Sequence, residues 1–216
     1  PATLHVTRYP GCSSLLEPDP AVIDLFETIG ASPPDGNFLV LEKIPVQTAR
    51  LDDINGLAPP DYIKVDVQGA ELMVLAHGTR VLSSATVVQT EVEFLPLYKN
   101  QPLFGDLHCF FREQGFVLHK LIDIAGRTFR PLRSPENPHK ALSQVLWADA
   151  VFVRDFTDFR RWSLDNLLKA ALVLNDVYHS YDFVFRLLRE HDLRTKGDLS
   201  KKYLSALSQI EIFPFY

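Results

Sequence analysis

The sequence lacks the short motifs by which many enzymes are identified. Its ten glycines are scattered, so neither G-x-G-x-x-G nor G-x-x-x-x-G-K occurs, and the loops that cradle nucleotide phosphates are excluded. Neither H-E-x-x-H nor C-x-x-C is present, which leaves zinc without a recognisable set of ligands. The absence of G-x-S-x-G argues against a serine hydrolase.

Long apolar runs, cysteines and an excess of positive charge are also missing. No stretch approaches the roughly 18 apolar residues of a membrane-spanning helix, and the first residues do not resemble a signal peptide. The two cysteines, Cys12 and Cys109, are far apart in the sequence, and we expect reduced thiols in a cytoplasmic protein. The net charge of -5 repels a phosphate backbone, so we expect no nucleic-acid partner. In the absence of a long apolar run, we also expect no membrane partner. The oligomeric state is not predicted.

The residues that are present have the composition of a globular protein, with 46% apolar and 23% charged residues among 216. Residues 61–153 alternate between strand-like runs and helical spacing, with one helix predicted over Leu72–Leu82. This alternation predicts an α/β fold with a mostly parallel sheet and helices on both faces. Beyond it, three segments have helical spacing, so we predict a sheet domain at 1–155 and a C-terminal helical appendage at 156–216.

The first candidate site follows an apolar strand that ends near Asp66. Ligands of open α/β sheets bind beyond the carboxyl ends of the strands, and Gln68 and Glu71 follow at this position. Gly69 allows a sharp turn and a close approach to a ligand. A structural role is the alternative, in which Asp66 caps the next helix and Glu71 favours its N-terminus.

The second candidate site is the pair Glu91 and Glu93 on the next predicted strand. Residues two apart on a strand share a face, and two neighbouring buried carboxylates raise at least one pKa. Such a group can act as a general base or hold a polar ligand. The alternative is that the strand has already reached solvent at Glu91. Tyr98 follows a proline-containing loop and either lines a pocket or packs structurally.

Four segments together resemble the FkbM-type methyltransferases. The resemblance covers roughly residues 1–122, and its most specific part contains Lys64, Asp66, Gly69 and Glu71. The segments that carry it are Tyr9–Pro18, Val46–Ile54, Tyr62–Leu72 and Glu91–Tyr98, the last of which is followed by Gln101–Phe104.

The resemblance implies a Rossmann-like methyltransferase sheet, mostly parallel, with one antiparallel strand near the edge. It also implies S-adenosylmethionine as cofactor and O-methylation of a hydroxyl on a sugar or a secondary metabolite. The family's Gly-rich cofactor loop would lie before residue 1, so we expect the chain to be a fragment that represents part of the fold.

The resemblance also assigns roles to the candidate residues. Asp66 and Gln68 would lie beside the methionine part of the cofactor, with Glu71 as a further cofactor-binding residue. We expect Glu91 to be the catalytic base for the acceptor hydroxyl. Glu93 and Tyr98 would then orient a small-molecule or glycan acceptor.

Three alternatives remain open at this point. The chain could be a non-catalytic α/β scaffold whose C-terminal helices bind a protein partner. A glycosidase that uses the Glu91–Glu93 pair is disfavoured by the absence of a second flanking carboxylate cluster. Asp61, Asp66 and Glu91 could gather an oxygen-ligated cation, but we expect no metal.

Overall fold

A computed structural model of the chain describes residues 1–209, so the last seven residues of the predicted appendage lie outside the described part. The strands are β1 (Ala2–Thr7), β2 (Val40–Val46), β3 (Tyr62–Val65), β4 (Val87–Glu93), β5 (Phe116–Gly126) and β6 (Val145–Arg154). The helices are α1 (Pro20–Ile23), α2 (Glu71–Ala76), α3 (Thr79–Leu82), α4 (Phe104–Glu113), α5 (Leu164–Asp176), α6 (Tyr181–Thr195) and α7 (Leu199–Leu207).

The strands of the described residues form two sheets. β1 and β2 make an antiparallel pair, and the main sheet has the order β3-β4-β6-β5. β3 is parallel to β4, whereas β6 is antiparallel to both β4 and β5. Three strands therefore point in one direction and β6 runs against them. The predicted α/β class is confirmed, but only one of the three pairings is parallel, because β6 lies between β4 and β5.

Helices cover both faces of the main sheet, since alternate residues of its strands enter different cores. Val88 of β4 and Phe152 of β6 pack with α2, α3 and α4. In this core Phe111 of α4 stacks on Phe152 with ring centroids 4.0 Å apart. The neighbouring residues Val87 and Val151 pack with α5 and α6 on the opposite face. The C-terminal helices thus share a core with the sheet, and the domain division at residue 155 stays a prediction.

The chain before β3 closes one end of the main sheet. Ile23, Phe26 and Phe38 are buried in a third core together with Tyr98 and Leu146. This core places the segment between β1 and β2 over the end of β4, where the candidate acids lie. The candidate site is therefore formed by segments that are distant in the sequence.

Two simpler features complete the description. Both cysteines are unpaired, as predicted, with Cys12 buried and Cys109 exposed. Among the described helices, none combines the length and the apolar character needed to cross a bilayer.

Candidate active site

The turn after β3 is built by glycine and by a buried carboxylate. Gln68 and Gly69 both have positive φ, at 54° and 90°, so the chain reverses sharply between Val65 and the start of α2. The buried Glu71 carboxylate accepts a hydrogen bond from the Val67 N–H at 2.9 Å, which fixes the turn. Glu71 also lies in the first turn of α2, the position that the structural alternative gave it, and its cofactor role stays a prediction.

Asp66 does not cap α2, contrary to one sequence interpretation. The residue before the helix is Ala70, and no side chain caps it. The Asp66 carboxylate instead lies 3.8 Å from the ammonium of Lys64 and accepts a hydrogen bond from Gln68. Asp66 is therefore directed toward the candidate site rather than toward the helix end.

Gln68 joins the two candidate sites. Its side-chain nitrogen donates to Asp66 Oδ1 at 3.0 Å and to Glu91 Oε2 at 2.8 Å. The Ser14 hydroxyl donates to the Gln68 carbonyl at 2.6 Å, and the Tyr98 hydroxyl lies 3.4 Å from Gln68 Oε1. The carboxylates that were placed at the ends of neighbouring strands therefore meet at one position.

Three carboxyl groups lie close enough together to surround a cation. One oxygen each from Asp66, Glu71 and Glu91 lies within 4.8 Å of the others. Asp61, which the sequence suggested as a member of such a group, instead pairs with Lys169 at 3.0 Å. Hard cations prefer oxygen ligands of this kind, and the expected absence of a metal stays a prediction.

Glu91 and Glu93 are held near the end of β4, between β3 and β6. Glu93 is only 2% exposed, and its Oε2 atom has no hydrogen-bond partner among the described residues. Burial is the main cause that raises the pKa of Glu91 to about 8, and repulsion from Asp66 and Glu71 contributes less. Burial is also the main cause that raises the pKa of Glu93 to about 9, and repulsion from Glu71 and Glu91 contributes less. The predicted rise in pKa is confirmed, and the strand has not reached solvent at Glu91.

The raised pKa of Glu93 predicts a measurable cost of folding at high pH. An ordinary glutamate has a pKa of 4.5, so between about 4.5 and 9 the unfolded chain ionises while folded Glu93 keeps its proton. The free energy of unfolding therefore decreases with pH in this window. We expect Glu93→Gln to gain stability relative to the unmodified protein between pH 5 and pH 8, by up to about 1.4 kcal/mol per pH unit. Urea unfolding at several pH values measures this difference.

The matched control is Glu113→Gln, which removes a carboxylate from an exposed position on α4. This control should show no comparable gain with pH. A Glu93→Gln protein whose stability relative to the unmodified chain is the same at pH 5 and pH 8 would contradict the raised pKa.

A cavity of about 200 Å³ lies beside the acids. Tyr98 is buried in its wall, and the Tyr98 hydroxyl donates to the Cys12 carbonyl at 2.9 Å. Four predicted site residues line it, whereas Asp66 and Glu71 do not. The residues that line the cavity include Phe38, Gln68, Glu91, Glu93, Tyr98, Arg127 and Trp147.

Sequence reasoning missed Arg127 and Trp147 as lining residues. Trp147 lies opposite Glu93 in the antiparallel pairing of β6 with β4. Arg127 directly follows β5, and its guanidinium lies 4.8 Å from the centre of the Trp147 ring. The signal that could have found both is the position of β6 beside β4, which local patterns do not reveal.

Comparison with known proteins supplies a family for this region. Residues 13–118 match the Methyltransferase FkbM domain, so the resemblance is confirmed over this range. All six predicted site residues fall within it, and the match indicates a methyltransferase. No curated protein and no solved structure matches the chain.

Proposed function

We propose that this chain, with its FkbM-type methyltransferase domain, contributes the reaction site of an S-adenosylmethionine-dependent O-methyltransferase. The acceptor is a hydroxyl group of a sugar or a secondary metabolite. The observation that carries the proposal is the direct hydrogen bond between Gln68 and Glu91. It joins the ends of two neighbouring strands at the wall of a ring-sized cavity.

The acids beside the cavity fit a positively charged methyl donor. S-adenosylmethionine, when bound, supplies a methyl group on a sulfonium cation. Asp66, Gln68 and Glu71 are the residues that we propose to hold it. Burial raises the pKa of Glu71, and mutual repulsion opposes ionisation of the neighbouring acids as well. A cation nearby relieves this repulsion.

Glu91 is the proposed catalytic base. An alcohol is a very weak acid, so a carboxylate that accepts its proton during methyl transfer lowers the barrier. The pKa of Glu91 is raised to about 8, close to neutral pH, where a general base is most effective. Gln68 holds Glu91 Oε2 by a 2.8 Å hydrogen bond and so fixes the carboxylate while the other oxygen faces the acceptor.

Glu93 and Tyr98 are the proposed positioning residues for the acceptor. With its pKa raised to about 9, Glu93 remains protonated at neutral pH and can donate a hydrogen bond to an acceptor oxygen. Burial also raises the pKa of Tyr98, so its phenol stays neutral. The ring is held by the hydrogen bond to the Cys12 carbonyl and presents a rigid wall to the acceptor.

The experiment that tests this proposal is transfer of a labelled methyl group from S-adenosylmethionine to hydroxylated acceptors by the full-length protein. We expect a product that carries the label on oxygen, identified by mass spectrometry and NMR. Binding of the cofactor without transfer to any hydroxyl would contradict O-methylation. Absence of cofactor binding would favour the alternative of a non-catalytic scaffold whose C-terminal helices bind a partner.

A further inference from the structure

Arg127 lines the cavity but has no role in the proposed methyl transfer. Its Nη1 atom donates to the Gly126 carbonyl at 2.8 Å, and its guanidinium stacks over Trp147. Its Nε atom is buried and has no hydrogen-bond partner within the described chain. Arg127 also takes part in none of the ion pairs formed by residues 1–209.

This arrangement leaves the guanidinium without an anionic partner among residues 1–209. Burial lowers the pKa of Arg127, yet a guanidinium stays charged in proteins. Burying a charged donor without a partner is unfavourable, whereas a carboxylate or a phosphate matches the planar fork of the guanidinium. Glu91 and Glu93 line the same cavity but do not pair with Arg127. An anionic ligand in the cavity would supply the partner that Arg127 lacks among residues 1–209.

The size and the walls of the cavity limit this ligand. A cavity of about 150 Å³ holds benzene, so about 200 Å³ holds one six-membered ring with small substituents. Phe38, Tyr98 and Trp147 supply flat aromatic faces for such a ring. Because the acids and Arg127 line one cavity without forming an ion pair, a single ring can contact both.

We propose that the cavity binds a single-ring hydroxy acid, with its anionic group on Arg127 and a hydroxyl toward Glu91. The orientation of the hydroxyl rests on the proposed function, whereas the anion contact does not. Two sources share this chemistry, a sugar acid and a hydroxylated aromatic acid. Arg127 is then the residue that selects acidic acceptors over neutral ones.

Calorimetric titration of the full-length protein with two matched pairs of probes tests this inference. The sugar pair is methyl β-D-glucuronide and methyl β-D-glucoside, and the aromatic pair is 4-hydroxybenzoate and 4-hydroxybenzamide. We expect the acid of at least one pair to bind about 10- to 100-fold more tightly than its neutral partner, as a charge-assisted hydrogen bond allows. The pair that shows this preference identifies the ring type.

Variants separate the guanidinium from general effects of charge. Arg127→Gln should abolish the preference, whereas Arg127→Lys should retain part of it because the charge remains but the fork is lost. The matched control is Arg112→Gln, which removes an arginine from the exposed side of α4 and should leave the preference unchanged.

The outcomes for this inference and for the proposed function differ. Equal binding within both pairs, or a preference that persists in Arg127→Gln, would overturn the anion site. An acid preference without methyl transfer to either acid would support the anion site and count against the proposed function. Methyl transfer to the neutral probes alone would support the proposed function and count against the anion site.

Discussion

Glu91→Gln is expected to lower kcat for methyl transfer by about 10²- to 10⁴-fold, the usual contribution of a general base. Glutamine preserves the shape of the side chain but cannot accept the proton of the acceptor hydroxyl. In the unmodified protein, kcat/KM should rise with pH through about 8, because kcat/KM reports the free enzyme, in which the base form of Glu91 appears in that range. Initial rates with labelled S-adenosylmethionine between pH 6 and pH 9 measure both effects.

The same variant distinguishes the proposed base from a residue that only maintains the structure. Glu91→Gln should keep or gain thermal stability, for the same reason as Glu93→Gln, and should lose the pH dependence of kcat/KM. Glu113→Gln on the exposed side of α4 should leave both the stability and the pH dependence unchanged. A Glu91→Gln protein with unchanged kcat would remove Glu91 from the mechanism.

Gly69→Ala is expected to disrupt the site through the turn after β3. Gly69 has a φ of 90°, and a methyl group there would lie 2.7 Å from Gln101 Nε2 and 3.0 Å from Tyr98 Cδ2. The Gln101 side chain cannot withdraw freely, because its carbonyl accepts a hydrogen bond from the Tyr98 N–H. Displacement of Gln68 and Tyr98 by about 1 Å should reduce kcat/KM by about 10²-fold.

Gly56→Ala is the matched control for this variant. Gly56 has a similar φ of 77°, but nothing lies within 4 Å of the added methyl group. In both variants alanine adopts a strained backbone conformation that costs about 1–3 kcal/mol, so thermal melts should show a loss of stability in each. Only Gly69→Ala should lose activity, and equal kcat/KM values in the two variants would contradict a role for the turn.

The contact between the two candidate sites could be predicted from the sequence because it follows from strand direction. β3 and β4 are parallel neighbours with Val65 opposite Thr90, so the residues that follow each strand emerge at one edge. Asp66, Gln68 and Glu91 therefore meet as expected. The raised pKa values also follow from apolar surroundings and adjacent acids, both of which are visible in the sequence.

The interior of the helical segment after Gly69 was less predictable. The single helix expected over Leu72–Leu82 is two helices, α2 and α3, separated at His77 and Gly78. Gly78 lies against Leu51, whose side chain would be 2.6 Å from an added methyl group. Packing against a segment about 27 residues earlier thus interrupts the helix, and helical spacing alone cannot show such a contact.

The walls of the cavity could not be predicted because they depend on long-range order. The Tyr98 hydroxyl contacts the Cys12 carbonyl across 86 residues of chain. Trp147 reaches Glu93 because β6 inserts between β4 and β5, an order that no local pattern specifies. Arg127 enters the cavity for the same reason, since β5 pairs with β6.

The most direct test of the central claim compares S-adenosylmethionine with S-adenosylhomocysteine, its neutral thioether product, in calorimetric titrations of the full-length protein. If the acids at the ends of β3 and β4 accommodate the sulfonium cation, the affinity for S-adenosylmethionine should increase relative to that for S-adenosylhomocysteine from about pH 6 to about pH 9. The reason is that Glu91 and Glu93 ionise in this range. In Glu91→Gln this increase should shrink. Equal affinities for the two ligands at every pH, or no binding of either, would contradict the account.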